Sequence, residues 1–418
     1  MFLPAAELEH ATMMRQAGRE LLALALLEAR NRSLRLFAAF EAGGRLDLPG
    51  GIAETPRRWL GRLGWFQEAW ISRQVERHLG PAADPSRARL ASIEPNADLW
   101  FGPAGSVLLR GSDSGLPAPD VIRQYLLDTL DITLDLLLHS PETDASLYFY
   151  RLALFHEDAQ AEQLLGLAQR LGLAMPDQPA PQPQSQRRRV LEFDARSWDL
   201  GQPPEPESRH DTLAVLTRQG YRSDLETGHR RVRLPAHQID TEPVTWGQYL
   251  DFMRDGGYDD PRWWSEAGWQ WARSRCARSP RQTRWNGDTL LQRHYSHERE
   301  VDPSQPVQLV NAYEAEAWCR WAGRRLPSEA EWEHAARSGS GGQFRWGQVW
   351  EWTSDALHFY PGYRPGPLHG QLAGTLGLHR VLRGGSHATA ARLKHPCFRH
   401  HLAPGDESGF CGFRSCTP

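Results

Sequence analysis

Apolar residues recur at helical spacing through the first 175 residues, in four long segments. The first segment ends near Gly43 and Gly44, and the second covers 56–79, where a proline begins the helix and a glycine follows it. The third covers 121–138 and the fourth 145–171. Four such helices in succession predict a four-helix bundle. The predicted apolar stripes are Leu22, Leu26, Ala29, Leu36, Phe37 and Phe40 in the first helix, and Leu127, Leu130, Leu134 and Leu138 in the third.

The pattern changes at residue 176 and again at residue 190. Residues 176–189 have no apolar periodicity, are rich in Pro and Gln, and end in three arginines, which predicts an extended linker with a solvated end. From residue 190 the segments are short and rich in Gly and aromatic residues. Strands are predicted at 190–193 and 231–234, and helices at 311–322 and after Ser328, where Glu331 completes a capping box. The chain is therefore predicted to be α+β, with a helical domain (1–175), a linker (176–189) and an irregular second domain (190–418).

Composition and charge narrow the classes of function. A chain of 418 residues is too long for one ordinary core. Its 48 Lys and Arg nearly balance 51 Asp and Glu, so nothing indicates a nucleic-acid partner or an acidic membrane. There is no apolar run of about 20 residues and no secretory pattern at the N-terminus, so a cytoplasmic protein is expected. Five cysteines, an odd number, predict free thiols, and 17 tryptophans predict a second-domain core built from indole rings.

The second domain carries a dense, ordered set of motifs. They are Thr245-x-x-Gln248-Tyr249, the run WAGRRLPSEAEWE at 321–333, WGQVWEWT at 346–353, YPGY at 360–363, VLRGGS at 381–386 and GFR at 412–414. Together they resemble the formylglycine-generating enzymes, also called sulfatase-modifying factors, which implies a C-type-lectin-like fold for 190–418. In that family a copper-binding cysteine pair follows the RGGS motif. Here 387–392 read HATAAR and the next cysteine is Cys397, so copper-dependent cysteine oxidation is not expected.

A helical bundle before such a domain resembles the ergothioneine-synthase family, which includes sulfoxide synthases for ergothioneine and ovothiol and the selenoneine synthases. The resemblance implies a DinB-like bundle that holds Fe(II) with three histidines, and an Fe(II)- and O2-dependent oxidoreductase that joins sulfur or selenium to C2 of the imidazole of hercynine. The expected partners are hercynine and a selenosugar or thiol donor. The family motif His-x-x-x-His-x-Glu corresponds here to HEDAQAE at 156–162, and LALFHED at 152–158 is most similar to the selenoneine-synthase branch.

The metal ligands that the resemblance implies are only partly present. His156 matches the first histidine of the helix motif, but Gln160 stands at the second, and Arg62 stands where the segment Trp-x-Leu-x-His-x-x-Trp-Phe has its histidine. A guanidinium has no lone pair to donate and repels a divalent cation, and an amide oxygen is a weak ligand beside an imidazole. Two interpretations stay open: a degenerate metal site, in which Arg62 pairs with Glu157 or Glu162, or a rebuilt one.

The candidate catalytic and substrate-binding residues lie in the second domain, after residue 190. The candidate catalytic residues are Tyr360 and Tyr363. Aromatic faces attract a trimethylammonium group, although these residues would also suit a core. His400 stands where the family has an asparagine, while Leu402 and Asp406 replace polar or basic positions. This disfavours a γ-glutamyl-cysteine donor, which needs cationic partners, and leaves a neutral sugar-like donor open. The candidate substrate-binding residues are Trp350, Trp352, Arg399, His400, His401 and Arg414.

Two hypotheses of different class follow from these residues. The first is a selenoneine- or ergothioneine-synthase-like iron oxidoreductase. The second is a metal-poor pseudoenzyme or ligand-binding protein that keeps the family fold. Its support is a set of residues that depart from the family pattern together at one presumed site: Arg62, Ala159, Gln160, Leu402 and Asp406. The metal content of the purified protein separates the two.

Overall fold

The structure, a computed structural model, describes residues 5–48, 55–103, 115–184, 188–201, 220–338 and 342–418. Helices fill its first part, and strands and short helices fill its second. No helix among the described residues is both long and apolar enough to cross a membrane. The helices are α1 Ala5–Glu9, α2 Ala11–Arg15, α3 Arg19–Ala42, α4 Pro56–Trp70, α5 Ala97–Phe101, α6 Pro119–Leu138, α7 Asp144–Leu171, α8 Trp246–Arg254, α9 Glu266–Arg275, α10 Ala312–Trp321, α11 Glu329–Arg337 and α12 His369–Leu372.

The four long helices α3, α4, α6 and α7 pack together as a bundle. Local chemistry sets their ends: Thr143 caps α7 by accepting a hydrogen bond from the backbone of Ser146, and Gly172 ends it in a left-handed conformation with φ 65°. The predicted stripe of α3 is buried, as expected. The predicted bundle and its apolar first helix are therefore confirmed.

The second helix is shorter than its predicted extent of 56–79, since α4 ends at Trp70. The chain leaves the helix because a later segment occupies its end. The Glu68 carboxylate accepts hydrogen bonds from the backbone N–H of Ile93 at 2.7 Å, and Arg73 Nε donates to the carbonyl of Leu90 at 2.7 Å. These long-range contacts outweigh the helical propensity of residues 71–79, and only a short 3-10 turn, Arg77–Ala82, follows.

The buried face of α6 also differs from the predicted stripe. Leu127 and Leu138 are 44% and 65% exposed. The buried side chains are Ile122, Tyr125, Leu126, Thr129, Leu130, Thr133 and Leu137. The glycine at position 64 of α4 lets that helix approach the Tyr125 ring closely, because a Cβ there would lie 3.0 Å from it. This helix–helix contact, which periodicity alone does not show, selects the face.

The second part of the chain is an irregular α+β domain, as predicted. Its largest sheet has the order β10-β9-β8-β11, antiparallel except for the β8–β11 pair, and β10 is an edge strand. Smaller sheets pair β1 with β4, β2 with β3, and β5, β6 and β7 in a row. The strands are β1 Val190–Phe193, β2 Arg196–Gly201, β3 His229–Leu234, β4 His237–Asp240, β5 Thr283–Asn286, β6 Thr289–His294, β7 His297–Glu300, β8 Trp350–Ala356, β9 Arg380–Arg383, β10 His400–Leu402 and β11 Cys411–Gly412.

Indole rings build the core of this domain, as the composition predicts. Trp246, Trp318, Trp332 and Trp352 are among its largest fully buried side chains. The capping boxes of α10 (Asn311 with Glu314) and α11 (Ser328 with Glu331) are both formed. All five cysteines are free thiols, as expected, and Cys319, Cys411 and Cys416 are buried.

The segment between the two parts lies against the second domain. The backbone N–H of Gln182 donates to Gln348 Oε1 at 2.8 Å, and that of Gln184 donates to the carbonyl of Ser304 at 2.8 Å. The arginine run was predicted to be solvated, but the Arg188 guanidinium lies 5.3 Å from the Trp318 ring centroid. Residue 187 and its two predecessors lie outside the described residues. The described part of the predicted linker is thus anchored to the second domain by these hydrogen bonds.

Candidate functional site

A cavity of about 470 Å³ lies where α7 meets the second domain. We call it the interdomain cavity. Two layers of the fold meet here, since α7 presents one wall and the edge strand β10 with its neighbours presents the other. The lining residues include Trp59, Phe155, His156, Gln160, Arg170 and Tyr221, together with Trp350, His379, Phe398, Arg399, His400 and His401.

The structure brings five of the predicted site residues into this lining: His156, Trp350, Arg399, His400 and His401. They come from positions up to 245 residues apart in sequence. Sequence reasoning missed His379, Phe155, Phe398, Tyr221 and Arg170. His379 lies two residues before Val381, which pairs with His401 across β9 and β10, so the two histidines share a sheet face. Nothing in the local sequence shows that register.

Trp352 and Arg414, predicted to contact substrate, belong to the core instead. The indole N–H of Trp352 donates to the carbonyl of Val310 at 2.9 Å. The guanidinium of Arg414 donates to Glu351 Oε1 at 2.7 Å and lies 3.8 Å from the Phe344 ring centroid. Both residues are fully buried. We therefore assign them to the packing of the domain rather than to ligand contact.

The two candidate catalytic tyrosines lie outside the cavity lining as well. The Tyr360 hydroxyl donates to Glu329 Oε1 at 2.9 Å, and burial raises its pKa well above the usual value. The Tyr363 ring stacks on Phe359 at 3.7 Å, its hydroxyl lies 3.1 Å from His369 Nδ1, and burial raises its pKa to about 12. Both phenols are therefore protonated at neutral pH. The Tyr360 ring, with Arg399 4.2 Å from its centroid, acts as support for the cavity wall.

Arg399 lines the cavity, but its donors are already used. Its Nε and Nη2 donate to the Glu329 carboxylate at 2.5 and 3.1 Å, and its Nη1 donates to the carbonyl of Leu225 at 2.8 Å. Arg399 as a whole residue is only 3% exposed. Arg399 is therefore suited to fixing the wall, whereas Arg170, an exposed residue of the lining, offers the cavity a positive charge.

Three imidazoles of the second domain meet in this cavity. His400 packs on Trp350 with ring centroids 4.9 Å apart, and His401 Nδ1 lies 2.9 Å from His379 Nδ1. Burial lowers the pKa of His400 to about 4, and burial and the neighbouring imidazoles lower that of His401 to about 3. Burial also lowers the pKa of His379. All three rings are neutral at pH 7 and present lone pairs as well as N–H donors.

The position of the family's metal does not suit a metal ion in this chain. His156 stacks face to face on Phe66, with centroids 3.6 Å apart and an angle of 10°. Burial and the charge of Arg62 lower the pKa of His156 to about 3. The amide oxygen of Gln160, the atom that would face a metal, accepts a hydrogen bond from the indole N–H of Trp59. These residues do not fit the expected iron. No group of three or more His, Cys, Asp or Glu is arranged to hold a metal in the part of the chain that the structure describes.

The ion pair predicted between Arg62 and Glu157 or Glu162 is not the one observed. Arg30 binds the Glu157 carboxylate, with Nε and Oε1 2.9 Å apart. Glu162 accepts hydrogen bonds from three residues of the second domain: the indole N–H of Trp350 at 2.9 Å and the hydroxyls of Ser386 and Thr389. The family's glutamate position thus anchors the opposite wall of the interdomain cavity.

We expect a double substitution, Arg62→His with Gln160→His, to raise the affinity for Fe(II) by at least about 10-fold, or about 1.4 kcal/mol. The change at position 62 removes a positive charge that opposes a dication. The change at position 160 places a second imidazole one turn after His156, at i+4 on the same helix face, so that the site has three histidines. The measurement is anaerobic Fe(II) titration of both proteins. Each single substitution is the control, and each is expected to fall short because both positions serve one site. Equal affinity of wild type and double variant would contradict the argument.

The protein thus has two parts: a bundle of long helices and a Trp-rich α+β domain. Together they enclose an imidazole-lined cavity, and this arrangement defines a two-domain class of protein. The sulfatase-modifying factor enzyme 1-like domain family matches residues 212–348 and 345–417. Proteins named hercynine oxygenase from Mycolicibacterium thermoresistibile and Mycolicibacterium smegmatis are each 30% identical to this chain, covering 94% and 95% of it and 94% and 98% of their own lengths. A formylglycine-generating enzyme from Streptomyces coelicolor is 26% identical over 47% of this chain and 82% of its own length.

The chain belongs to the hercynine oxygenase family of the ergothioneine pathway. In this chain a helical N-terminal region precedes the sulfatase-modifying-factor domain. The family predicted from the sequence motifs is therefore confirmed. Its match extends through both parts of the chain, so the interdomain cavity lies inside the shared region.

Proposed function

We propose that this protein is an oxidoreductase acting on hercynine or a closely similar imidazole betaine, which it binds in the interdomain cavity. Two observations together support this proposal. Relatives named hercynine oxygenase match nearly the whole chain, and a cavity with aromatic and neutral imidazole walls lies where its two parts meet. The expected activity is that of the family, and the expected ligand is a small molecule of about the size of an amino acid.

The chemistry of the walls suits such a ligand. Phe155 and Tyr221 have ring centroids 5.0 Å apart, and Trp350 and Phe398 have centroids 5.9 Å apart. Aromatic faces attract a trimethylammonium group, which cannot donate hydrogen bonds. Arg170 carries the charge that a carboxylate needs. The neutral imidazoles can exchange hydrogen bonds with the imidazole of the ligand.

The finer proposal concerns the bond that is made. The similarity of 152–158 to selenoneine synthases supports a C–Se bond at C2 of the imidazole, with a C–S bond as the other member of the class. Leu402 in the lining favours a neutral sugar-like donor over one carrying several carboxylates. We derive no step through iron, because the residues at the family's metal position do not fit it.

A second candidate is a ligand-binding protein that performs no oxidation. The specific observation in its favour is the set of contacts made by His156 and Gln160, which use Phe66 and Trp59 as partners. The deciding experiment incubates metal-reconstituted protein with hercynine, O2 and either a selenosugar or a thiol, and identifies products by mass spectrometry. A product with selenium or sulfur at C2 supports the enzyme. Tight hercynine binding without any product supports the binding protein.

Hercynine is expected to bind more tightly than histidine by roughly 0.5–2 kcal/mol, since only the trimethylated amine gains from aromatic faces without donating hydrogen bonds. Trp350→Leu should reduce hercynine affinity and shrink that difference. Calorimetry with both ligands measures it. Trp285→Leu is the matched control, because Trp285 is partly exposed on β5 and does not line the interdomain cavity. Folded protein that binds neither ligand would refute the proposed ligand class.

A further inference from the structure

Two imidazoles in the wall of the interdomain cavity approach each other with their Nδ1 atoms. His379 Nδ1 and His401 Nδ1 are 2.9 Å apart, with ring centroids at 5.1 Å. His401 lies on the edge strand β10, and His379 immediately precedes β9, the strand that pairs with it. The backbone register therefore fixes the convergence of the two rings, and both rings line the cavity.

Two arrangements bring two imidazole nitrogens this close. One is a hydrogen bond, in which one neutral ring donates its N–H to the other. The second is a shared metal ion: nitrogens 2.9 Å apart, each about 2.05 Å from a metal, subtend an angle of about 90° at it, and a tetrahedral angle requires about 0.4 Å more separation. The observed spacing thus matches two adjacent positions of an octahedral or tetragonal metal, and a small ring movement gives a tetrahedral one.

We propose that His379 and His401 form a two-histidine site for a divalent transition metal in the interdomain cavity, separate from the position of the family's iron. Imidazole nitrogen suits Zn²⁺, Ni²⁺, Co²⁺ and Cu²⁺, so an ion of that borderline class is the expected ligand. The proposal does not depend on the identity of the organic ligand or on turnover.

The surroundings of the pair fit this site. Both rings have lowered pKa values and are uncharged at neutral pH, so a metal can bind both Nδ1 atoms when each ring carries its proton on Nε2. His400 also lines the cavity, but it alternates with His401 along the edge strand β10 and packs on Trp350, with its ring centroid 6.0 Å from that of His401, so we do not count it as a third ligand. Two protein ligands leave the other coordination positions to water or to a bound molecule in the cavity, as in catalytic rather than structural metal sites.

The site also differs in kind from the family position on α7. There, His156 is stacked on Phe66, the amide of Gln160 is bonded to Trp59, and the Arg62 charge acts on the imidazole. The charge that acts on His379 is the carboxylate of Asp406. The Arg399 guanidinium acts on His401, but both oxygens of the Glu329 carboxylate bind that guanidinium and offset its charge. The acidic neighbour of His379 therefore favours a dication at this pair over the position at His156.

The test uses full-length protein without a histidine tag, stripped of metal by a chelator. Zn²⁺ affinity is measured by competition with a chromogenic chelator, and Co²⁺ coordination is measured by visible absorption. The variants are His379→Asn and His401→Asn. The asparagine amide reaches the position of Nδ1, so each variant keeps a hydrogen bond to the remaining imidazole and loses a strong metal ligand. His139→Asn, on an exposed histidine at the end of α6, is the matched control.

Wild type is expected to bind one Zn²⁺, each of the two asparagine variants to bind at least about 10-fold more weakly, and the control variant to bind as wild type does. No binding by wild type, or unchanged binding by both asparagine variants, would overturn the proposal and leave the pair as a hydrogen bond. Loss of binding on His156→Asn alone would place the metal at the family position and also overturn it. Binding of hercynine to the metal-free protein is measured separately by calorimetry. It tests the proposed ligand, so failure of the metal site and failure of the proposed function give different results.

Discussion

Replacing Arg392 with methionine is expected to lower the free energy of unfolding by about 3–5 kcal/mol, because it leaves a buried carboxylate with only the more distant guanidinium of Arg32, 3.9 Å away. Arg392 Nε and Nη2 donate to the two oxygens of Asp158 at 2.6 and 2.9 Å. The Asp158 side chain has no exposure, and burial raises its pKa while Arg392 lowers it. Without the guanidinium the carboxyl group must take up a proton or remain charged in the interior.

Urea unfolding at pH 7 measures this loss. Arg284→Met is the matched control, since Arg284 forms an ion pair with Glu298 in which both side chains are about half exposed, and such pairs contribute at most about 1 kcal/mol. The double variant Asp158→Asn, Arg392→Met should recover part of the stability, because it removes both charges. A loss below about 1 kcal/mol for Arg392→Met would show that the pair is not structurally required.

Acidification from pH 7 to pH 5 is expected to destabilise the fold strongly. Burial is the first cause of a lowered pKa at eight histidines of the described residues, His379 among them. The pKa is lowered to about 3 at His156, His387, His395 and His401, and to about 4 at His294, His334 and His400. The unfolded chain, with histidine pKa values near 6.5, binds more protons than the folded one between about pH 6.5 and 4. Stability therefore rises with pH in this window and is lost as the pH falls.

Four carboxyl groups of the described residues act in the opposite direction, since burial also raises the pKa of Asp158 and Asp355. Burial raises the pKa of Glu314 to about 8 and that of Asp224 to about 6, so the folded state holds their protons more tightly and gains stability on acidification. Eight imidazoles against four carboxyl groups leave a net uptake of a few protons on unfolding. At about 1.4 kcal/mol per proton and pH unit, two to three protons give a slope of about 3–4 kcal/mol per pH unit near pH 5.

The slope is measured by urea unfolding at a series of pH values from 7 to 5. His387→Asn should reduce it by about one proton, because burial lowers the pKa of this partly buried imidazole to about 3, and its Nδ1 lies 3.0 Å from the carbonyl of Gln348. His297→Asn, on an exposed histidine of β7, should leave the slope unchanged. A stability that stays flat down to pH 5 would show that these imidazoles are more hydrated than their burial indicates.

The parts of the fold that could be predicted from the sequence are those set by local chemistry. The capping box at Ser328 and the stop at Gly172 depend on residues within one turn, so both are correct. The end of α4 depends on Ile93, 23 residues beyond Trp70, and no local pattern carries that information. Likewise, the buried face of α6 follows from a close helix approach rather than from apolar spacing.

The residues of the candidate site also differ in whether local sequence identifies them. His156, Trp350, His400 and His401 were found because they occupy motif positions or stand beside them. Trp352 and Arg414 occupy motif positions too, yet they serve the core, because a motif marks residues needed for the fold as well as those that touch a ligand. His379 has no motif around it. Only the pairing of β9 with β10 brings it to His401.

The Glu162 carboxylate, which accepts hydrogen bonds from Trp350, Ser386 and Thr389, sets a limit on how these proteins can be recombined. A chimera that joins this helical region to the second domain of a relative would bury an acidic side chain, which needs the same three donors on the facing surface. The same holds for Asp158 and its partner Arg392. Such an exchange should yield a folded protein only if all six of these residues are present as a set.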